Sequence, residues 1–387
     1  MNEINRKMVV EAVSDKINNL REISEKERTL LEVYGEKYEK AREKNPEEIM
    51  EEIESYENIG IPLEEKWQTE FEKKFETNKE MRNWAYEILK GETVTGVDGS
   101  QAPADKVISL PIALVRAFGF VNKHNGEYER LEEYRCLTSE ENQVKSDDVY
   151  SRLNSLDVNF ARFDLENKIA MESLQKSSSL VLIDNTFILS YLLSGEISEY
   201  FNLHLKSLLK LLEKLEKNTM ISGVVDPSQS SEISTMLSKA FDVKKTPVED
   251  SALLYNYLDI FDRTCVYRSK RRILKRYKVN FGGSKTFDYS NEIGFFYIRT
   301  HSYRPLRVEF PLWIHREGLV DKLANLIRAS CIIGEGYPYE LSKAHEYVTI
   351  SGSEKEKFYE IVQKIADEEG IHYSISRKAF QKRRPIR

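Results

Sequence analysis

Cysteine is scarce in this chain. Cys136, Cys265 and Cys331 are odd in number and far apart, with no CysXxxXxxCys pair, which excludes a thiolate zinc cage and a disulfide framework and suits a reducing, cytoplasmic compartment. Long apolar runs are missing too. None approaches the roughly 20 residues that cross a bilayer, and residues 1–7 lack an apolar signal core, so the expectation is a protein off the membrane. An excess of positive charge is also absent: the formal charge is −6, so there is no generic basic coat, and any nucleic-acid contact must come from local patches. No internal repeat of fixed period is visible. What remains is a chain of 387 residues, 40% hydrophobic and 32% charged, enough for one large domain with additions or for two domains.

Residues 1–92 are rich in Glu and Lys, and Ile17, Leu20, Ile23, Leu30, Leu31 and Tyr34 recur at helical spacing, so the region reads as a helical arm. Pro46 opens a second helix, and a break at Gly60-Ile61-Pro62 precedes a third running through Trp67, Phe71, Phe75, Met81, Trp84 and Ile88. The charge runs suit a solvated face, or a surface for oligomerisation or partner docking. From Thr93 the pattern changes. Strands are expected at residues 93–98, 108–121 and 127–137, the last two joined by a hairpin turn at Asn125-Gly126. A long helix follows over 149–175, then a buried strand at 179–184 ending in Asp184. Further on come a helix over 197–217, a strand at 220–225, helices near 232–241 and 251–261, and aromatic strands at 293–300 and 306–314. Helices over 318–333, 339–348 and 354–369 complete the pattern. The domain reading is therefore an arm at 1–92, a core at 93–351, and a C-terminal helix with a basic tail at 352–387.

Asp98 stands at the head of the chemistry. An Asp-Gly pair after a strand suits a turn, but here the order of elements gives it partners. A first strand carries an acid, a hairpin adds two strands, a helix follows, and the fourth strand ends in a second acid. That is the order of the ribonuclease H fold: an α/β protein with a mixed sheet flanked by helices, in which acids from the first strand, the helix and the fourth strand meet. The helix offers Glu166 and Glu172, six residues apart and well separated around its axis; Glu166 is favoured. Ionised carboxylates supply the hard oxygen ligands that Mg²⁺ or Mn²⁺ prefers. Two ions about 3.5 to 4 Å apart would suit phosphodiester hydrolysis. Asp184 also suits a cap on the turn after its strand.

With these residues in hand, the sequence resembles the NurA family of DNA nucleases from about Val94 to about Ile350. The resemblance is carried by Val97-Asp98-Gly99-Ser100, Arg162-Phe163-Asp164-Leu165-Glu166, Leu182-Ile183-Asp184-Asn185-Thr186, and the run from Gly336 to His345. It implies an RNase H-like homodimer that cleaves DNA with Mn²⁺ (or Mg²⁺), two ions in all, as a 5′ to 3′ exonuclease and single-strand endonuclease. It also implies a HerA-type hexameric ATPase as partner, in DNA end processing or anti-phage defence. Asp98, Glu166 and Asp184 match the family's metal-binding acids, His345 its C-terminal active-site histidine, and Tyr337 or Tyr339 the nearby tyrosine. A histidine there suits ligation of Mn²⁺ or contact with a phosphate oxygen. Two departures stand out. Asn185-Thr186 replaces the Gly-Ser frequent after the second Asp, and Asp226-Pro227 replaces a basic residue frequent after the Val224-Val225 strand. Alternative readings are a catalytically degenerate DNA-binding scaffold subunit of a HerA-type motor, and an RNase H-like ribonuclease or junction resolvase.

Arg268, Lys270, Arg271, Arg272, Lys275, Arg276 and Lys278 form a basic run without an intervening acid. On a helix, Arg268, Arg271, Arg272, Lys275 and Arg276 would share a DNA-binding face, although a solvated linker reads equally well. The ending at 377–384 is also basic and suits a backbone grip or a loose tail. Tyr289, Phe295, Phe296, Tyr297, Tyr303 and Trp313 are candidates for stacking on unpaired bases, or for ordinary core.

Overall fold

The computed structural model describes residues 4–104, 108–141, 153–192, 198–215, 219–281 and 286–374. The basic ending at 377–384 lies outside them. The chain forms two compact units, one of Met1–Lys73, Asp226–Arg272 and Gly294–Val308, the other of Lys74–Val225, Ile273–Ile293 and Glu309–Arg387. Elements are numbered along the chain.

In the first unit, α1 (Arg6–Ser14) and α2 (Ile17–Arg42) lead to α3 (Pro46–Ile53). Asn45 caps α3 by accepting from the Glu47 amide, and Pro46 starts it, since the first turn needs neither its amide hydrogen nor a free φ. Only the later part of α2 is buried. Tyr34, Tyr38 and Ala41 join Ile49, Ile53, Trp67 and a return segment of the chain in one core, whereas Met8, Val9, Val10, Val13, Ile17, Leu20 and Ile23 are exposed. That return segment holds α7 (Glu232–Ala240), α8 (Asp250–Leu254), β8 (Arg263–Thr264), β9 (Tyr267–Ser269) and most of β12 (Ile293–Ile298). It packs with β1 (Gly60–Pro62) and β2 (Gln68–Thr69), which pair antiparallel with β9 and β8. Thus the chain from the later part of α2 onward shares a core with distant sequence, and the N-terminal segment of this unit ends at Lys73.

The expected third helix shrinks to α4 (Asn78–Leu89), capped by Thr77. Its aromatics at four-residue steps mimic one helical face, but each goes its own way. The Trp67 indole donates to the Lys44 carbonyl at 2.9 Å, Phe71 meets Phe261 edge-on at 5.6 Å, and Phe75 lies 5.8 Å from Trp84.

The second unit is built on a mixed sheet. Its strands are β3 (Val94–Ala102), β4 (Ala113–Asn122), β5 (Tyr128–Leu137), β6 (Leu180–Ile183) and β7 (Met220–Val225), in the order β7-β6-β3-β4-β5. β3, β4 and β5 are antiparallel neighbours, while β6 runs parallel to β3 and β7 parallel to β6. The hairpin joining β4 and β5 turns through His124 and Gly126, both with positive φ, where glycine carries no steric penalty. α5 (Ser155–Leu174), with Asn154 as its cap, and α6 (Ser198–Glu213) cover one side of the sheet through Phe163, Ile169, Phe201, Leu205 and Leu209. β10 (Lys278–Val279), β11 (Phe287–Asp288), the end of β13 (Leu306–Pro311), α9 (Trp313–Arg316), α10 (Val320–Ile333), α11 (Tyr339–Val348) and α12 (Gly352–Glu368) complete the unit. The helix expected over 149–175 appears as α5 from Ser155, and residues 149–152 of that expectation lie outside the described residues. The strand expected at 108–121 starts only at Ala113, because Pro111 lacks the amide a ladder needs. No helix among the described residues is long and apolar enough to cross a membrane.

Candidate metal centre

β3 does not stop at Asp98. It pairs with β4 through Ala102, with Asp98 opposite Phe118 and Gly99 opposite Ala117, so the Asp-Gly pair lies inside a strand and the turn reading fails. The strand instead uses glycine for close approach. A Cβ on Gly96 would lie 2.2 Å from the backbone carbon of Glu340 in α11, and one on Gly99 would lie 2.3 Å from Glu166 Oε1 in α5. Successive residues point to opposite faces of a strand. Gly96 therefore shares a face with Asp98 and seats α11, while Gly99 seats α5 on the other face.

The two contacts bring the candidate residues together. Asp98 and His345 meet at 2.8 Å between Oδ2 and Nδ1, and Asp98 Oδ1 accepts the Gly99 amide at 2.7 Å. Asp184, just after β6, accepts a hydrogen bond from the Tyr337 hydroxyl at 2.9 Å. One ligand atom from each of Asp98, Asp184 and His345 lies within 4.8 Å of the others. Asp98 is buried, whereas Asp184 and His345 are exposed, so the cluster opens to solvent on one side. Tyr339, the other tyrosine of the pair, points its ring at Phe120 with centroids 6.0 Å apart, which leaves Tyr337 as the tyrosine of the site.

Glu166 stands beside this trio without belonging to it. It is buried, its Oε1 accepts from Arg162 at 2.6 Å, and Asn185 Nδ2 approaches Oε2 at 3.5 Å. Burial pushes its carboxyl up to about 7; Arg162 opposes that shift, and the charges of Asp98 and Asp184 add to it. Glu172 is exposed, so α5 turns Glu166 alone toward the acids. Asp184 is likewise held above the usual carboxylate range, first by the protein atoms crowding it and then by Asp98, with the Tyr337 hydroxyl bond pulling the other way. Gathered acids that resist ionisation together call for a cation. Two carboxylates and an imidazole make a donor set that fits Mn²⁺ or Mg²⁺, hard ions that take oxygen, with imidazole tolerated best by Mn²⁺.

The residues that hold this cluster are largely ones that sequence reading passed over. Glu309, buried in β13, accepts from the Thr186 hydroxyl and the Phe187 amide, both at 2.7 Å, and so clamps the loop that presents Asp184. Gly223 in β7 lets the same loop lie flat, since a Cβ there would meet the Asn185 carbonyl oxygen at 2.4 Å. The departure at Asn185-Thr186 is thus a working one: both side chains bond within the site. Glu340, also buried, takes bonds from Asn122, His124 and Ser330 and pins the start of α11. Glu309 stands in a largely apolar strand, a signal the sequence offered, whereas Glu340 lies in a mixed polar stretch that offers none.

The basic run does not form a helical face. Arg268 is in β9, Arg272 to Arg276 form a short 3₁₀ turn, and Lys278 begins β10. Arg268, Arg271 and Arg272 belong to the first unit and Lys275 and Arg276 to the second. Arg271 pairs with buried Glu232 at 3.1 Å, and Arg276 lies 4.1 Å over the Phe201 ring. Of the aromatics, Tyr289, Phe295, Phe296 and Tyr297 are core, and Tyr303 is exposed.

The strand order and the acid positions define an RNase H-like α/β protein. A family model for the NurA domain matches residues 92–350, more than half of the 387 residues. The chain belongs to the NurA family. Its structure is similar to that of the NurA nuclease from Sulfolobus solfataricus at 13% identity, covering 95% of this chain and 98% of that one, with a TM-score of 0.55. Fainter likenesses are human endonuclease V, at 14% identity over 76% of this chain and 95% of that one with a TM-score of 0.34, and the Bacillus subtilis endonuclease V, at 12% over 76% and 97% with a TM-score of 0.32. No curated protein matches the sequence.

Proposed function

We propose that this chain is a Mn²⁺- or Mg²⁺-dependent deoxyribonuclease. Membership of the NurA family supports a nuclease, and the observation that carries the metal-dependent reading is the convergence of Asp98, Asp184 and His345 within 4.8 Å. Asp98, Asp184 and His345 would hold the ion, and Glu166, the remaining acid of the sequence pattern, would help hold a second. A bound divalent cation supplies charge stabilisation for the oxygens of the phosphodiester. The chain's own residues do the positioning. Tyr337 fixes one oxygen of Asp184 and leaves the other free, the Gly99 amide fixes one oxygen of Asp98, and the other oxygen of Asp98 orients the exposed imidazole of His345. Arg162 holds Glu166 against β3.

In the finer reading the protein acts as a 5′ to 3′ exonuclease and single-strand endonuclease, as a homodimer with a HerA-type hexameric translocase, in DNA end processing or anti-phage defence. The exposed apolar positions of α1 and early α2 support a docking role for that region. Labelled single- and double-stranded DNA incubated with Mn²⁺, Mg²⁺ or EDTA tests the activity, and an RNA:DNA hybrid and a four-way junction run beside them test the substrate. Metal-dependent loss of DNA is expected. Absence of cleavage even with the ATPase present would favour a scaffold subunit, and preference for the hybrid or junction a ribonuclease or resolvase.

A further inference from the structure

We propose that a cavity adjoining Glu166 is a subsite for one nucleobase of a single-stranded substrate; the nature of the strand rests on the nuclease reading, the subsite on the cavity itself. The cavity measures about 240 Å³, smaller than the roughly 300 to 1,000 Å³ of drug-sized pockets and therefore suited to a single ring system. Three elements of the second unit wall it. α5 contributes Asn159, Arg162 and Phe163, α6 contributes Tyr200 and His204, and Tyr191 closes it from the 3₁₀ turn Ser190–Leu192.

Arg162 links the cavity to the acids. Its side chain lines the cavity while its guanidinium donates to Glu166 at 2.6 Å. A base hangs one sugar away from its phosphate, so a strand whose phosphate meets the acids has a neighbouring base within reach of this space. Tyr191 is half exposed and so accessible as a stacking surface, and the charge of Glu166, after crowding by protein atoms, helps push its phenol up to about 12. Aromatic faces of this kind stack on any base.

The polar groups complement a base edge. His204 is buried, and its Nδ1 hydrogen goes to the Tyr200 carbonyl at 2.9 Å. That bond sets the tautomer and leaves Nε2 a lone-pair acceptor, with no partner among the described residues. Burial also lowers the His204 pKa and favours this neutral form. Gln101 donates to Asn159 Oδ1 at 2.8 Å, which fixes the amide and turns its NH₂ into a donor for a ligand. One acceptor and one donor between aromatic walls is the chemistry by which an unstacked base is held. Leu156, Phe163 and Leu192 supply the apolar part of the lining.

Binding measured in EDTA tests the subsite independently of cleavage. Fluorescence anisotropy compares a labelled oligo-dT strand with an abasic strand of equal length. Wild type is expected to prefer the base-bearing strand, Tyr191→Ala and Asn159→Ala to cut that preference by about tenfold, and Tyr191→Phe to retain it. Affinity for the abasic strand should stay within about twofold, because backbone contacts are untouched. Equal wild-type affinity for both strands, or variants that keep the full preference or weaken both strands alike, would overturn the subsite. In parallel, oligo-dT left intact by wild type with Mn²⁺ would count against the nuclease reading alone, since the anisotropy comparison judges the cavity without it.

Discussion

Two buried glutamates, one in each unit, show how neighbouring charges set the state of the same side chain. Glu232 opens α7 and is enclosed by cations: Arg307 bonds it at 2.7 Å, Arg271 at 3.1 Å, and Ser269 donates at 2.5 Å. Burial is the strongest single influence and pushes its carboxyl up, yet the two arginines and the serine together reverse the shift and leave it below the usual range. Glu166 has one arginine, and its other charged neighbours are acids, so burial prevails and its carboxyl rises to about 7. An acid whose charge is compensated within the fold stabilises that fold. An acid whose surroundings repel its charge is held toward its neutral form.

The largest effect that would break this contrast is loss of the acids beside Glu166. Asp98→Ala and Asp184→Ala should each lower Mn²⁺-supported DNA cleavage by more than about a thousandfold, because removing even outer partners of a metal ligand costs about 10- to 100-fold. Both variants should stay folded by circular dichroism; cleavage at the wild-type rate would end the metal-centre assignment. On the other side, Arg307→Ala leaves Glu232 buried with its main counter-charge gone. A loss of about 3 to 5 kcal/mol in urea unfolding is expected, and an unchanged midpoint would show that the enclosure of Glu232 is not structural.

Smaller changes sharpen the comparison. Gly99→Ala places a methyl 2.3 Å from Glu166 Oε1 and 2.9 Å from Cγ of both Arg162 and Glu166, so it displaces the Glu166 carboxylate from its place beside β3. Displacement of about 1 Å at a reacting centre costs on the order of a hundredfold, so kcat in the cleavage assay should fall by about that factor. The least effect is expected from pH. The folded carboxyl of Glu232 titrates below its ordinary value of 4.5, so the stability it contributes is complete above that value and is lost as pH falls through the folded pKa. The deficit of Glu232→Gln relative to wild type, about 1 to 3 kcal/mol at neutral pH, should therefore shrink below pH 4.5 in acid unfolding curves. A deficit constant with pH would mean that the glutamate is not held ionised.

Much of the second unit was legible from the order of its residues. The hairpin turn at Asn125-Gly126, the β-branched run ending in Asp184 and the helix from Tyr339 are local patterns, and they appear in the structure within a few residues. Helical spacing misleads where aromatics at residues 67, 71 and 75 share it, and in the basic run at 268–278, where a shared helical face stood beside an equal linker reading. In both places partners far along the chain decide the backbone, and periodicity carries no information about them.

Composition and spacing alone determined the class of fold, the order of its strands, and which acids belong to which element, because these depend on short-range alternation of apolar and polar side chains. Tertiary structure alone decided that Asp98 lies inside its strand with His345 against it, that Gly96 and Gly99 seat helices on opposite faces, and that Glu309 clamps the loop of Asp184. Those contacts join residues from 67 to 247 positions apart, and distance along a chain sets no distance in space. They also decide which buried acid is compensated by arginines and which is not.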